Sequence, residues 1–386
     1  MKLKLLTSVL LVAILLLSGC ATGEPNPSTS TPSPTATPGN TSIVENQDQV
    51  IYGKIYPDEE KTYEVWVGNN ITNVSFELKW MVHELGLSLT TPSGEPYGIC
   101  GYGSGPCGGT GSDCIILNPE PGKWTVHVNA LDVPQSGKDY LLLVSFNRLI
   151  NFSLFVYPLM YTPGEPIRIT MGSAPRRQIA GGPAPTTEPG SDKVIGASVV
   201  ADILMPGNVT ESLILYDDGQ HGDGQADDGA YSNVFTDTGS QGIYGISVTA
   251  SGTANGVKFQ KRDATLVWVS PPPDLSIEAS DIVFSDDNPH EGESISITAT
   301  IRNIGGGDAF NAEIWFYYDK RWSGDIAIPY VDIPAGGTVK VTEWWTARAG
   351  DHNIYVDVTN QCGIEEQNLS NNQAYRPIHV SAETNQ

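Results

Sequence analysis

Short runs of alternating apolar residues, each cut off by glycine or proline before a helix could develop, dominate this 386-residue chain. Lys61 to Val67 carries Tyr63, Val65 and Val67; Ser294 to Ile301 carries Ile295, Ile297, Ala299 and Ile301; His352 to Thr359 carries Ile354, Val356 and Val358. A period of two puts each set on one face of a strand, leaving one face for a core and one for water. No apolar pattern of helical period lasts three turns, while 41 glycines and 27 prolines supply the turns between strands. These features predict an all-β chain of β-sandwich domains in series.

The first 41 residues do not fit that pattern. Lys2 and Lys4 precede the apolar stretch Leu5 to Leu17, and Leu17-Ser18-Gly19-Cys20 ends it. Thirteen residues make only about 20 Å of helix, short of a bilayer core of about 30 Å, so residues 1–19 read as a secretory signal peptide. The ending resembles a bacterial or archaeal lipobox, which implies cleavage before Cys20 and lipid attachment to it. Residues 20–41 are then a tether, because Pro, Ser, Thr, Gly and Asn cannot bury enough surface to fold. The expected location is the extracellular face of the cell membrane, held by the lipid alone.

Acidic residues number 44 against 21 basic ones, and loss of Lys2 and Lys4 with the leader moves the net charge from −23 to −25. Nucleic acid and anionic membrane surfaces are poor partners for such a field. Divalent cations, neutral glycans and basic proteins suit it better, and the plainer reading is that the charge keeps the protein soluble.

Proline clusters divide the remainder into segments 42–158, 159–270 and 274–381, with Pro271-Pro272-Pro273 as a stiff break, since proline lacks the donor a central strand needs. In the last segment Glu291-Gly292-Glu293-Ser294 leads into a strand that ends in Arg302-Asn303-Ile304-Gly305-Gly306-Gly307. There the glycines are expected to supply positive φ. Gly350-Asp351-His352-Asn353-Ile354-Tyr355-Val356-Asp357 and later Ser370-Asn371-Asn372 follow. This order of motifs resembles CARDB, a cell-adhesion-related domain of surface proteins, and the resemblance implies a seven-stranded immunoglobulin-like sandwich. Glu365, Asn371 and Asn372 are expected to satisfy backbone groups in the turn before the last strand. A cation held by Asp357, Glu365 and Asn371 is the sharper alternative. Trp315, Trp344 and Trp345 lie in strands, where alternation predicts a core position for one of each neighbouring pair. An exposed one could serve as a sugar-stacking platform.

In the middle segment, residues 216–232 hold five aspartates, Asp217, Asp218, Asp223, Asp227 and Asp228, among glycines. The run resembles the Asp-Asp-Gly, Gly-Asp, Asp-Gly-x-Tyr-Ser loop of choice-of-anchor X modules and of the β domain that follows von Willebrand factor A domains. Five like charges at this spacing repel unless neutralised or solvated, and Ca²⁺ is the natural hard counter-ion. These five residues are the candidate ligands of a structural calcium. The alternative is a tight solvated turn of Asp-Gly units. No other cofactor is required.

The first segment resembles pre-peptidase C-terminal-like sandwiches through Gly53-Lys54-Ile55, Leu87 to Gly94 and Pro121-Gly122-Lys123-Trp124-Thr125-Val126. That resemblance implies an accessory β-sandwich without catalytic residues. Cys100, Cys107 and Cys114 sit in a glycine-rich insertion, and Cys362 lies in the last segment. One local disulfide is expected for an exported chain, with the pairing open. No His-Glu-x-x-His, Gly-x-Ser-x-Gly or phosphate-cradling Gly-Lys-Ser/Thr motif occurs. The expected function is non-catalytic binding or adhesion at the cell surface, toward an envelope protein or polysaccharide. The alternative is an accessory subunit that docks an extracellular enzyme or transporter.

Overall fold

The computed structural model describes residues 46–81, 84–100, 110–146, 152–173, 193–254, 256–360 and 365–382. Cys20, the leader and the tether lie outside these residues, as do Cys107 and Cys362. Among the described residues the only helix is a single 3-10 turn, Ala279–Asp281, and no helix is long and apolar enough to cross a membrane.

The first sandwich comprises β1 (Gln49–Ile55), β2 (Glu60–Val67), β3 (Asn73–Trp80), β4 (Glu84–Thr90), β5 (Pro96–Ile99), β6 (Thr110–Leu117), β7 (Gly122–Asp132) and β8 (Lys138–Phe146). Two four-stranded sheets, β1-β8-β3-β6 and β2-β7-β4-β5, enclose Phe76, Leu78, Trp124, Val126, Leu142 and Val144. Cys100 and Cys114 are disulfide-bonded with Cα atoms 5.0 Å apart, which joins the end of β5 to β6.

The second sandwich contains β9 (Ser153–Phe155), β10 (Met160–Tyr161), β11 (Ile167–Gly172), β12 (Ser198–Met205), β13 (Val209–Leu215), β14 (Tyr231–Phe235), β15 (Gly242–Ala254) and β16 (Val257–Val269). Sheets β14-β11-β9 and β10-β16-β15-β12-β13 close over Ile169, Met171, Ile203, Tyr244, Ile246 and Val267. Strand β9 pairs with β11, so residues 153–155, which proline spacing had assigned to the first segment, belong to this sandwich.

In the third sandwich, β17 (Leu275–Ser276), β18 (Ile282–Phe284), β19 (Ser294–Asn303) and β23 (Thr338–Thr346) form one sheet. The other consists of β20 (Ala309–Tyr318), β21 (Asp325–Ala327), β22 (Tyr330–Ile333), β24 (Gly350–Thr359) and β25 (Gln373–Val380). Nine strands stand where the resemblance implied seven. The difference lies at two broken edges: β17 and β18 pair with successive stretches of β19, and β21 and β22 with successive stretches of β20. The alternating residues behave as expected, with Ile295, Ile297, Ala299 and Ile301 facing Ile354, Val356 and Val358 in the core.

Described residues of the first two sandwiches pack directly against one another. Leu141 and Leu143 of β8, on the face away from their own core, pack with Met81 and with Ala264 and Leu266 of β16 in a separate apolar cluster. Strand β8 is therefore buried on both faces, which explains its uninterrupted apolar run from Tyr140 to Val144. Asp48 ties the joint at its edge, accepting from the Phe146 amide at 2.8 Å and the Arg262 amide at 3.1 Å. Lys79 donates to the Ala264 carbonyl at 2.7 Å and lies 3.5 Å from Asp263.

The junction with the third sandwich has another construction. The amides of Gly306 and Gly307 donate to the Pro272 carbonyl, and a Cβ at residue 307 would lie 1.9 Å from the Pro271 carbonyl oxygen. A Cβ at residue 305 would lie 2.4 Å from the Asp274 nitrogen. None of these three glycines has positive φ. Gly305 and Gly307 are required because two backbones touch, and Gly306 lies against the Pro271 ring, which corrects the expectation drawn from turn geometry. Asn303 locks the contact: its Oδ1 accepts from Asp274 and Gly305, and its Nδ2 donates to the Gly307 and Ile333 carbonyls.

Candidate functional site

The aspartate loop follows β13 and returns to β14 through a bridge between Tyr216 and Ser232. Its carboxylates turn inward to the loop's own amides. Asp217 accepts from the amides of Asp228 and Gly229, both at 3.0 Å, and Asp228 accepts from Gln225 at 3.1 Å and Ala230 at 2.9 Å. Asp218 accepts from the Gln220 amide and contacts His221 Nδ1 at 3.0 Å; this His221 contact, with the amide, holds its carboxyl below the usual range. Asp223 is 5% exposed and accepts from the Gly219 amide at 2.7 Å. Burial pushes its carboxyl up, but backbone donors led by Gly219 outweigh that and hold it low.

Glycines 219, 222, 224 and 229 and Asp227 adopt positive φ, the bends that aim successive amides at these oxygens. Arg168 crosses the loop, donating to the His221 carbonyl, and its guanidinium fills the space a Cβ at Gly222 would need. His221 stacks on Tyr216 with ring centres 4.5 Å apart. Among the described residues, no group of three or more His, Cys, Asp or Glu side chains is disposed to hold a metal ion. Four of the five proposed ligands converge on one turn, where each accepts from at least one loop amide, while the buried Asp223 Oδ1 has no partner. The Tyr-Ser end of the motif is anchored too. Tyr231 donates to the Val194 carbonyl and accepts from Ala197, and buried Ser232 donates to the Ile169 carbonyl.

In the third sandwich the turn before β25 is organised by Glu366, one residue beyond the expected Glu365. Glu366 accepts from the amides of Leu275 and Asn360 and from Asn372 Nδ2. Asn372 also donates to Val358, as expected of a turn residue, whereas Asn371 donates to the Asp274 carboxylate. Glu365 is exposed, and Asp357 engages Tyr317 and Gln373 instead. The trio Asp357, Glu365 and Asn371 therefore has separate neighbours. Of the tryptophans, Trp345 is buried in the core and Trp344 is 65% exposed, as alternation predicts. Trp315 is buried on the outer side of its sheet, where Arg321 covers it.

Comparison with known proteins bears on this last sandwich most directly. Residues 272–376 match the CARDB family. The CARDB domain thus accounts for the third sandwich, and an Ig-like domain precedes it: residues 178–268 match the family described as conditioned medium factor 2nd Ig-like domain. Human calcium-activated chloride channel regulator 1 is 28% identical over 178 residues, which are 42% of this chain and 18% of that protein. The chain thus spans less than a fifth of that relative. Among solved structures, the CARDB domain of a Pyrococcus furiosus protein in complex with di-metal ions is 22% identical and has a TM-score of 0.25. That match covers 29% of this chain and 96% of that one. The Escherichia coli adhesin FdeC is 11% identical with a TM-score of 0.28, covering 86% and 96%.

Proposed function

We propose that this chain is a non-catalytic cell-surface adhesion protein, exported, anchored through a lipid on Cys20, and turned toward envelope polymers or proteins. The single observation that carries the reading is the CARDB match over residues 272–376, a domain type related to cell adhesion. Two further features support it. The joint between the first two sandwiches has its own apolar core, so the binding domain stands on a stiff base. A net charge of −23 disfavours nucleic acid and anionic lipid as partners.

Cell fractionation of the full chain tests the anchoring, and sedimentation with isolated envelopes tests the adhesion. The full chain is expected in the membrane fraction, and Cys20→Ser is expected to release it. Soluble chain is expected to co-sediment with envelopes. Membrane retention unchanged by Cys20→Ser would overturn the lipid anchor, and failure to co-sediment would overturn the adhesive role.

A further inference from the structure

The outer face of the β20–β24–β25 sheet carries chemistry that its fold does not require. Ile314, Phe316, Val356 and Val358 point into the core. The residues between them form a grid set by strand register, with Tyr317 opposite Tyr355 and Tyr355 opposite Tyr375. In the adjoining row Trp315 stands opposite Asp357, and Asp357 opposite Gln373. Tyr317 and Tyr355 stack within 5° of parallel at 5.1 Å, and Tyr375 follows at 5.2 Å with half its surface open. The Tyr317 hydroxyl donates to Asp357, and Gln373 Nε2 donates to the same carboxylate at 2.7 Å.

The turn after β20 folds back over this grid. Arg321 lies 3.9 Å from the centre of the Trp315 ring, and Trp322 meets Trp315 edge to face at 4.9 Å. Trp322 is 77% exposed and has φ of 73°, a left-handed conformation that is an outlier for so bulky a residue. Its amide donates to Asp325 at 2.8 Å, which holds the turn in place. Trp315 Nε1 and Arg321 Nε are both shielded from water and have no acceptor. Such unpaired donors are rare and call for an explanation.

We propose that this face binds a neutral polysaccharide, with sugar rings against Trp322 and Tyr375 and sugar hydroxyls serving Asp357, Gln373 and the unpaired N–H groups of Trp315 and Arg321. The proposal rests on the adhesion reading and gives it a site. A pyranose combines an apolar ring face with hydroxyls that both donate and accept. That combination suits a patch in which rings alternate with one carboxylate, one amide and two donors lacking partners. Polyanionic glycans are disfavoured by the charge of −23 over the chain, while within the patch Asp357 is paired with Arg321 Nη1 at 3.7 Å. Two strand spacings separate Tyr317 from Tyr375, about 10 Å, room for more than one sugar. Arg321 is the movable part: its side chain slides from Trp315 as hydroxyls reach the two N–H groups.

Affinity electrophoresis of the full chain through gels containing hydroxyethyl cellulose, xylan, mannan or anionic polygalacturonate tests the site, with tryptophan fluorescence as a second readout. At least one neutral polymer is expected to retard the chain and shift its emission. Trp322→Ala should weaken that retardation at least about tenfold and Tyr375→Ala about threefold, in keeping with truncation of central aromatic contacts. Trp315→Phe, which keeps the packing and removes the N–H, should weaken it as well. Trp344→Ala, on the opposite sheet, should leave it unchanged. Retardation by polygalacturonate alone, by no polymer, or equally in wild type and Trp322→Ala overturns the site. If the chain and Trp322→Ala still co-sediment with envelopes to the same extent, the site fails while the adhesion reading stands.

Discussion

The two joints of this molecule hold neighbouring sandwiches together by opposite means. Between the first and second, side chains do the work: Leu141, Leu143 and Met81 meet Ala264 and Leu266, and a Cβ at Gly245 would strike the ring of Tyr52. Between the second and third, backbone meets backbone, with Pro271 to Asp274 lying against Gly305 to Gly307, and Trp268 meets Phe310 at 5.0 Å as a ring contact. A side-chain joint tolerates exchange of similar apolar residues, whereas a backbone joint tolerates no added atom at all. The first should couple the stability of its two domains; the second fixes an approach while burying little.

The largest effect is expected at the first joint. Leu143→Ala should cost about 2–5 kcal/mol, visible as a lower midpoint for a transition that includes both sandwiches in calorimetry. Two independent transitions, only one of them shifted, would break the claim of coupling. Next comes reduction of Cys100–Cys114, which closes a short loop and should cost about 3 kcal/mol. If the joint couples, the second sandwich melts earlier as well, while the third keeps its midpoint.

Gly307→Ala places a methyl group on the Pro271 carbonyl and should cost about 1–3 kcal/mol. Limited proteolysis should then cut near residues 270–274, with the first joint intact. A smaller effect comes from Lys138 of the first sandwich, which lies 5.7 Å from the ring of Phe310 in the third. Burial lowers its amine to about 8, against the effects of Asp139 and Asp332. The unfolded chain therefore binds more protons between about pH 8 and 10.4, and stability should rise with pH across that window. Lys138→Met should remove this slope and gain about 1 kcal/mol at neutral pH, measured by denaturant titration at several pH values.

The smallest shift concerns calcium. With the carboxylates of Asp217, Asp218 and Asp228 already bonded to amides, millimolar Ca²⁺ should move the second sandwich's midpoint by less than about 1 °C. A larger rise, abolished by Asp223→Asn, would restore a structural ion to the loop.

Strand assignments were legible where alternation was strict, as in β19 and β24, because a period of two leaves one face for the core. The first joint was partly written in Leu141 to Val144. A continuous apolar run declares burial on two sides, but nothing in it names β16 as the partner. The second joint misled for a related reason: Gly305 to Gly307 resemble turn glycines, and their crowding appears only once Pro271, more than thirty residues earlier, is in place. In the aspartate loop, composition placed the acids together but could not say whether their oxygens face an ion or an amide. Shifting from Glu365 to Glu366 is the same problem at the scale of one residue, since two adjacent acids in a turn point different ways. The outer aromatic grid was visible only as residues two apart, Trp315 with Tyr317 and Tyr355 with Asp357. Register across three strands is what turns those pairs into a surface.

A strand with no wet side also dictates where this chain can be cut. A fragment ending after Phe146 would carry Leu141 and Leu143 into water, and one starting at Phe152 would bare Leu266 and Ala264, so either piece would tend to self-associate. Severed at the prolines, the third sandwich uncovers little more than Phe310 from that apolar cluster. The natural pieces of the described chain are therefore a pair and a single.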